Sequence, residues 1–94
     1  MIELRWTRAA LQDIQLLHEF IGMHNQKAAA RAVDLIYSAA ESLKSFPQKG
    51  RPYAADITFR EIIVPFGDGG YIIRYRQTDG GILVVRVWHG RKDR

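Results

Sequence analysis

The apolar residues change period at Pro47, and that change constrains the fold more than any other feature of the chain. Upstream, Ala10, Ile14, Leu17 and Ile21 recur at spacings of four, three and four, which is one face of a helix. Thr7 stands where a hydroxyl can accept from the first-turn amides, and Gly22 stands where a left-handed residue can stop the helix. Asn25 is a second cap, followed by a buried stripe of Ala29, Ala32, Val33, Ile36, Tyr37, Ala40 and Leu43. Pro47 disfavours helical backbone at the residue before it, so this helix is predicted to end near Phe46. Helices joined by only about three residues pack as an antiparallel hairpin. Ahead of them, Leu4 and Trp6 alternate with Glu3 and Arg5, the period of a short half-buried strand.

Downstream of the loop Pro47-Gln48-Lys49-Gly50-Arg51-Pro52, three runs rich in β-branched and aromatic residues read as strands: Thr58 to Val64, Tyr71 to Gln77, and Ile82 to His89. Gly67-Asp68-Gly69-Gly70 separates the first two and Asp79-Gly80-Gly81 the last two. Asp-Gly is a strong hairpin signal, because type I′ turns need positive φ at both central residues. The expected architecture is α+β: an N-terminal strand, an antiparallel helix hairpin, and a three-stranded antiparallel meander packed on the helices, as a single domain over residues 1–94. If Asp79-Gly80 is a two-residue turn, Arg76 faces Leu83, Arg74 faces Val85 and Ile72 faces Val87, with His89 on that side. Tyr71, Ile73, Tyr75, Val84, Arg86 and Trp88 then take the other side. A bulge would shift this pairing. Arg74 and Arg76 share a face under either register and mark a concave, wetted surface.

Composition sharpens what the chain can do. An apolar share of 47% and a charged share of 26% are ordinary for a folded domain and exclude disorder. No apolar run approaches the roughly 20 residues of a membrane span, and the first residues lack a secretion signal, so the cytoplasm is expected. The absence of cysteine removes disulfides, thiolate metal sites and thiol nucleophiles. The formal net charge is +4, and all of the excess lies after residue 47. That asymmetry points to an acidic partner: nucleic acid, an acidic peptide or an acidic protein face.

Few residues carry chemistry. Asp56, Glu61, Asp68 and Asp79 share no spacing that would pair them for hydrolysis. His18 and His24 are six apart and do not form an i, i+4 pair, so neither metal nor other cofactor is expected. The helical aromatic residues Phe20, Tyr37 and Phe46 read as core. What remains is a basic cluster on strands that should be neighbours: Arg60, Arg74, Arg76, His89, Arg91 and Lys92. It has three readings: a solvated surface, a binding surface using guanidinium forks, or a metal-free ribonuclease in which histidine moves protons beside arginines.

The run Phe59-Arg60-Glu61-Ile62, then Gly70-Tyr71-Ile72-Ile73-Arg74-Tyr75-Arg76, then Val85-Arg86-Val87-Trp88-His89-Gly90-Arg91-Lys92-Asp93 resembles the RelE/ParE superfamily of bacterial toxins. The order of elements resembles it as well, over essentially the whole chain. The resemblance implies a toxin of a type II toxin–antitoxin system, held by a ParD-like antitoxin whose flexible acidic or amphipathic segment wraps it. It also implies one of two targets. RelE-like members are ribosome-dependent mRNA endonucleases, and ParE-like members inhibit DNA gyrase. Nuclease members carry an arginine where this chain has Ile72, a second basic residue where it has Ile62, and often a tyrosine beyond the position of His89. These departures favour the ParE-like branch, a gyrase inhibitor acting by protein contact rather than an enzyme. In that reading Arg60, Arg74, Arg76, His89, Arg91 and Lys92 bind target or antitoxin, and the chain itself does not bind DNA. In the alternative, His89, Arg74 and Arg91 would be catalytic.

Overall fold

The computed structural model describes residues 2–90. Strand β1 (Glu3–Trp6) leads into helices α1 (Arg8–Gly22) and α2 (Gln26–Ser42); then come β2 (Arg51–Pro52), β3 (Arg60–Phe66), β4 (Gly69–Thr78) and β5 (Gly81–His89). The strands form one sheet in the order β1-β5-β4-β3-β2. The expected α+β meander is present, and two strands extend it. β1 joins β5 in parallel, and the two-residue β2 adds to β3 at the opposite edge.

The caps fall where the hydroxyl and amide side chains predict. Thr7 accepts from the Ala10 amide at 3.0 Å, and Asn25 accepts from Ala28 at 3.0 Å. Helix ends depart from expectation. α2 stops at Ser42, where the backbone switches to shorter-range turns and the Ser42 hydroxyl donates to the Ala39 carbonyl at 2.6 Å. α1 ends through Met23 in the right-handed region, so Gly22 is not a left-handed stop. Among the described residues, Gly67 in the β3–β4 turn is the one with positive φ, +59°. The Asp79-Gly80 turn therefore closes the β4–β5 hairpin without the type I′ geometry. The glycine needed there is Gly81, where a Cβ would run into the Glu3 backbone of the parallel partner.

One sheet face is covered by the helix pair. Ala10 and Ile14 of α1 and Ala32, Ile36 and Ala40 of α2 meet Ile62, Val64, Tyr71, Ile73, Tyr75, Ile82, Val84 and Val87 in a continuous core. Trp6 packs edge-on against Tyr37 at 4.9 Å, fixing β1 under α2. Phe20, Tyr37 and Phe46 are exceptions to the expected aromatic core, being 68%, 38% and 65% exposed.

The β4–β5 register follows the predicted pairing from Thr78↔Gly81 through Tyr75↔Val84 and then slips, because Val85 is an extra residue opposite the Arg74/Tyr75 step. Beyond the bulge Arg74 faces Arg86, Ile73 faces Val87, Ile72 faces Trp88 and Tyr71 faces His89. Val87 and His89 thus move to the helix-covered face and Trp88 to the open one, opposite to the unbulged expectation. The cause is local. β1 ends at Trp6, so the outer edge of β5 beyond Val84 has no strand partner and is satisfied by the start of α1. Thr7 donates its hydroxyl to the Val85 carbonyl at 2.8 Å, and Asp13 accepts the Val87 amide at 2.9 Å.

Candidate functional site: two faces of one sheet

The basic cluster predicted as a unit is divided between the two faces. Arg60 pairs with Tyr75 and lies on the covered side. Its guanidinium donates to the Gly50 carbonyl at 2.7 Å, while the Tyr75 hydroxyl donates to the Pro47 carbonyl and accepts from the Gly50 amide, each at 2.9 Å. Together they pin the loop that follows α2. Burial raises the Tyr75 pKa, and the Gly50 amide and the nearby Arg60 charge partly oppose that shift. His89 is also on the covered side, edge-on to Tyr71 with ring centroids 5.4 Å apart. Arg74 and Arg76 lie on the open face, as expected, but they differ. Arg76 is exposed, whereas the Arg74 side chain is only 18% exposed. Arg91 and Lys92 lie outside the described residues.

Arg74 is enclosed by groups that the sequence reading did not bring to it. Its Nε donates to Glu61 Oε2 at 2.8 Å and a terminal nitrogen lies 2.7 Å from the same oxygen. Its guanidinium carbon sits 4.0 Å from the Tyr53 ring centroid and 4.8 Å from that of Trp88. The signal for Glu61 was present: counting back from a two-residue turn at Gly67-Asp68 sets it opposite Arg74. Ile72 stands beside this stack in an apolar row, paired with Ile63 on one side and Trp88 on the other. A second paired arginine, Arg86, grips Asp13 with two bonds of 2.8 and 3.0 Å, and that bonding raises its pKa.

On the covered side a groove of about 790 Å³ opens between the outer flank of α1 and the β3–β4 turn. Leu16, Phe20 and Met23 form its exposed wall, at 64%, 68% and 79% exposure, while Phe66, Tyr71 and His89 form its floor. Glu19 and Asp68 stand on the rim. The wall residues recur at spacings of four and three, a second apolar stripe beside the one that feeds the core. Such a stripe on a surface helix marks a contact surface rather than an interior. Among the described residues no group of three potential metal ligands is present, and no helix is long and apolar enough to cross a membrane.

The family model described as the ParE toxin of the type II toxin–antitoxin system parDE matches residues 4–94. The chain belongs to the ParE toxin family. Curated relatives include Toxin RelE1 of Caulobacter vibrioides, 38% identical over 85 residues, covering 90% of this chain and 89% of that protein. Toxin RelE2 of the same organism is 35% identical over 92 residues, covering 98% and 99%. Among solved structures, the chromosomal ParDE system of P. aeruginosa superposes with a TM-score of 0.74 at 21% identity, over 93% of this chain and 94% of that one. That likeness carries the fold. The family model and the solved structure carry the ParE name and these curated relatives the RelE name, so membership as a toxin is established and the choice of target rests on residues.

Proposed function

We propose that this ParE-family toxin inhibits DNA gyrase by protein contact, in the cytoplasm, and is neutralised by a ParD-like antitoxin. The observation that carries the reading is the separation of the groups a nuclease would need. Arg74 is committed to Glu61 on the open face, His89 packs against Tyr71 on the covered face, and the position between them on β4 is the apolar Ile72. General acid–base chemistry needs the proton-moving group within hydrogen-bond reach of the reacting oxygens, with fixed cations beside them. Arg74 and His89 on opposite faces do not supply that. The groove along α1 suits an antitoxin segment that folds as it binds, since a mostly apolar wall rewards an amphipathic helix laid along it. Its acidic rim favours basic rather than acidic side chains at the edges of that segment.

The test is a supercoiling assay with purified gyrase. Inhibition or a trapped cleavage complex at stoichiometric toxin is expected, with relief on adding the antitoxin. Unimpaired supercoiling overturns the reading. The alternative, a ribosome-dependent mRNA endonuclease, draws support from the RelE names of the relatives. It requires cleaved message in a translating extract and loss of cleavage in His89→Gln.

A further inference from the structure

The open sheet face carries three parallel rows of side chains, set by strand register. The first is apolar: Ile63, Ile72 and Trp88. The second is Arg51, Glu61, Arg74 and Arg86, with the Arg74–Glu61 pair already described at its centre. The third is Arg76, Leu83 and Arg5. Successive rows lie about 7 Å apart, the repeat of every second residue along a strand. Helix α1 reaches only their β5 end, where Asp13 holds Arg86 and Trp88 also lines the groove. Ile63 is 63% exposed, and neither Arg51 nor Arg76 has a carboxylate at ion-pair distance among the described residues.

We propose that this face is the toxin's target-docking surface and that it takes an acidic, partly apolar protein surface, separate from the groove that holds the antitoxin. The inference rests on the reading of the chain as a toxin that acts by protein contact, and it adds where the contact is made. Arginine and tyrosine are among the residues in which interface energy concentrates, and here Arg74 and Tyr53 are assembled before binding, with the buried Trp88 behind Arg74. Arg74 is held by Glu61 and by two rings, so little side-chain freedom is lost when a partner closes over it. Arg51 and Arg76 stand free at the periphery to meet carboxylates, and Ile63 offers the apolar contact.

Nucleic acid fits the same face poorly. Arg74, the cation at the centre of the face, is already paired with Glu61 and is not free to grip a phosphate. Trp88 is 6% exposed, so it presents no open ring for a base to stack on. The apolar row has nothing to offer phosphate.

The experiment uses the whole chain with Arg51→Glu and Arg76→Glu combined, and separately Ile63→Asp. All three positions are exposed, and thermal unfolding checks that each variant folds. Expression without antitoxin reads toxicity whatever the target, and supercoiling reads gyrase. The expected result is lost growth arrest and at least about a tenfold rise in the toxin needed to inhibit supercoiling, with antitoxin affinity unchanged. Variants that fold and still arrest growth overturn the proposal, as does a matching loss of affinity for short single-stranded RNA, which would assign the face to nucleic acid. A wild-type chain that arrests growth without touching gyrase overturns the gyrase reading alone, and loss of arrest in the variants then still supports the docking face. A wild-type chain that does neither overturns both.

Discussion

The two faces of the sheet are built from the same strands and have opposite characters. The covered face buries Ile73, Tyr75, Val84 and Val87 under the helices, and its polar groups are spent internally, Tyr75 and Arg60 holding the loop at residues 47–50. What it exposes is the apolar groove along α1. The open face exposes cations, and its one enclosed arginine is neutralised by Glu61 within the face itself. A toxin needs to meet one partner that silences it and another that it poisons. Alternation of side chains across a sheet gives it two chemically distinct surfaces from a single hairpin. The sharing has a consequence: whatever shifts the register of β5 alters both surfaces together.

The largest effect is therefore expected from inserting one alanine between Arg86 and Val87, just beyond the bulge. Every later residue of β5 then moves one position along the ladder, and Val87, Trp88 and His89 exchange faces. Val87 would leave the core, Trp88 would enter it, and Asp13 would lose the Val87 amide. We expect a loss of more than about 4 kcal/mol, which leaves a small domain largely unfolded. Urea unfolding measures it, and an insertion variant as stable as the parent would show that the register of β5 does not set the two faces.

Next in size is a change confined to the groove. Phe20→Glu places a carboxylate in the exposed wall beside Glu19. It should weaken antitoxin binding by about 10–100-fold, or roughly 1.4–2.8 kcal/mol, when measured by calorimetry. Because Phe20 is exposed, the free toxin should keep its stability to within about 0.5 kcal/mol. Its toxicity without antitoxin should persist, the mirror image of the open-face variants. Joint loss of toxicity and antitoxin binding would mean that the two faces are not separate in function.

Much of this organisation was legible in the sequence, for identifiable reasons. The caps at Thr7 and Asn25, the helix periodicity and the Asp79-Gly80 hairpin are local signals, and each element formed where its signal lay. The bulge is not local. It depends on β1 ending early and on Asp13, some seventy residues away, accepting the Val87 amide. No pattern within β5 announces that. The basic cluster is one unit only in the unbulged register, which sets His89 beside the arginines; the bulge carries it to the other face. Two missed features did leave a trace. The Leu16, Phe20 and Met23 stripe is helical in spacing, and the Gly67-Asp68 turn already fixes Glu61 opposite Arg74.

The smallest effect sharpens the contrast from within the covered face. Tyr75 is fully buried, and its hydroxyl serves both Pro47 and Gly50, so Tyr75→Phe leaves a carbonyl and an amide short of a partner. The expected cost is about 1–2 kcal/mol, with faster amide exchange confined to residues 47–50. The same hydroxyl predicts a pH dependence. Burial raises its pKa above the ordinary 10.0, so the fold favours the neutral phenol. Below pH 10 this contribution to stability is fully present. As the pH climbs beyond 10 the unfolded chain ionises first, and stability falls until the folded-state pKa is passed. Tyr71 is raised by burial in the same direction, so the alkaline decline should shrink in Tyr75→Phe without disappearing. Parallel stability curves for parent and variant above pH 10 would show that the loop is held by Arg60 alone, and that the covered face spends less of its polar capacity internally than its hydrogen bonds imply.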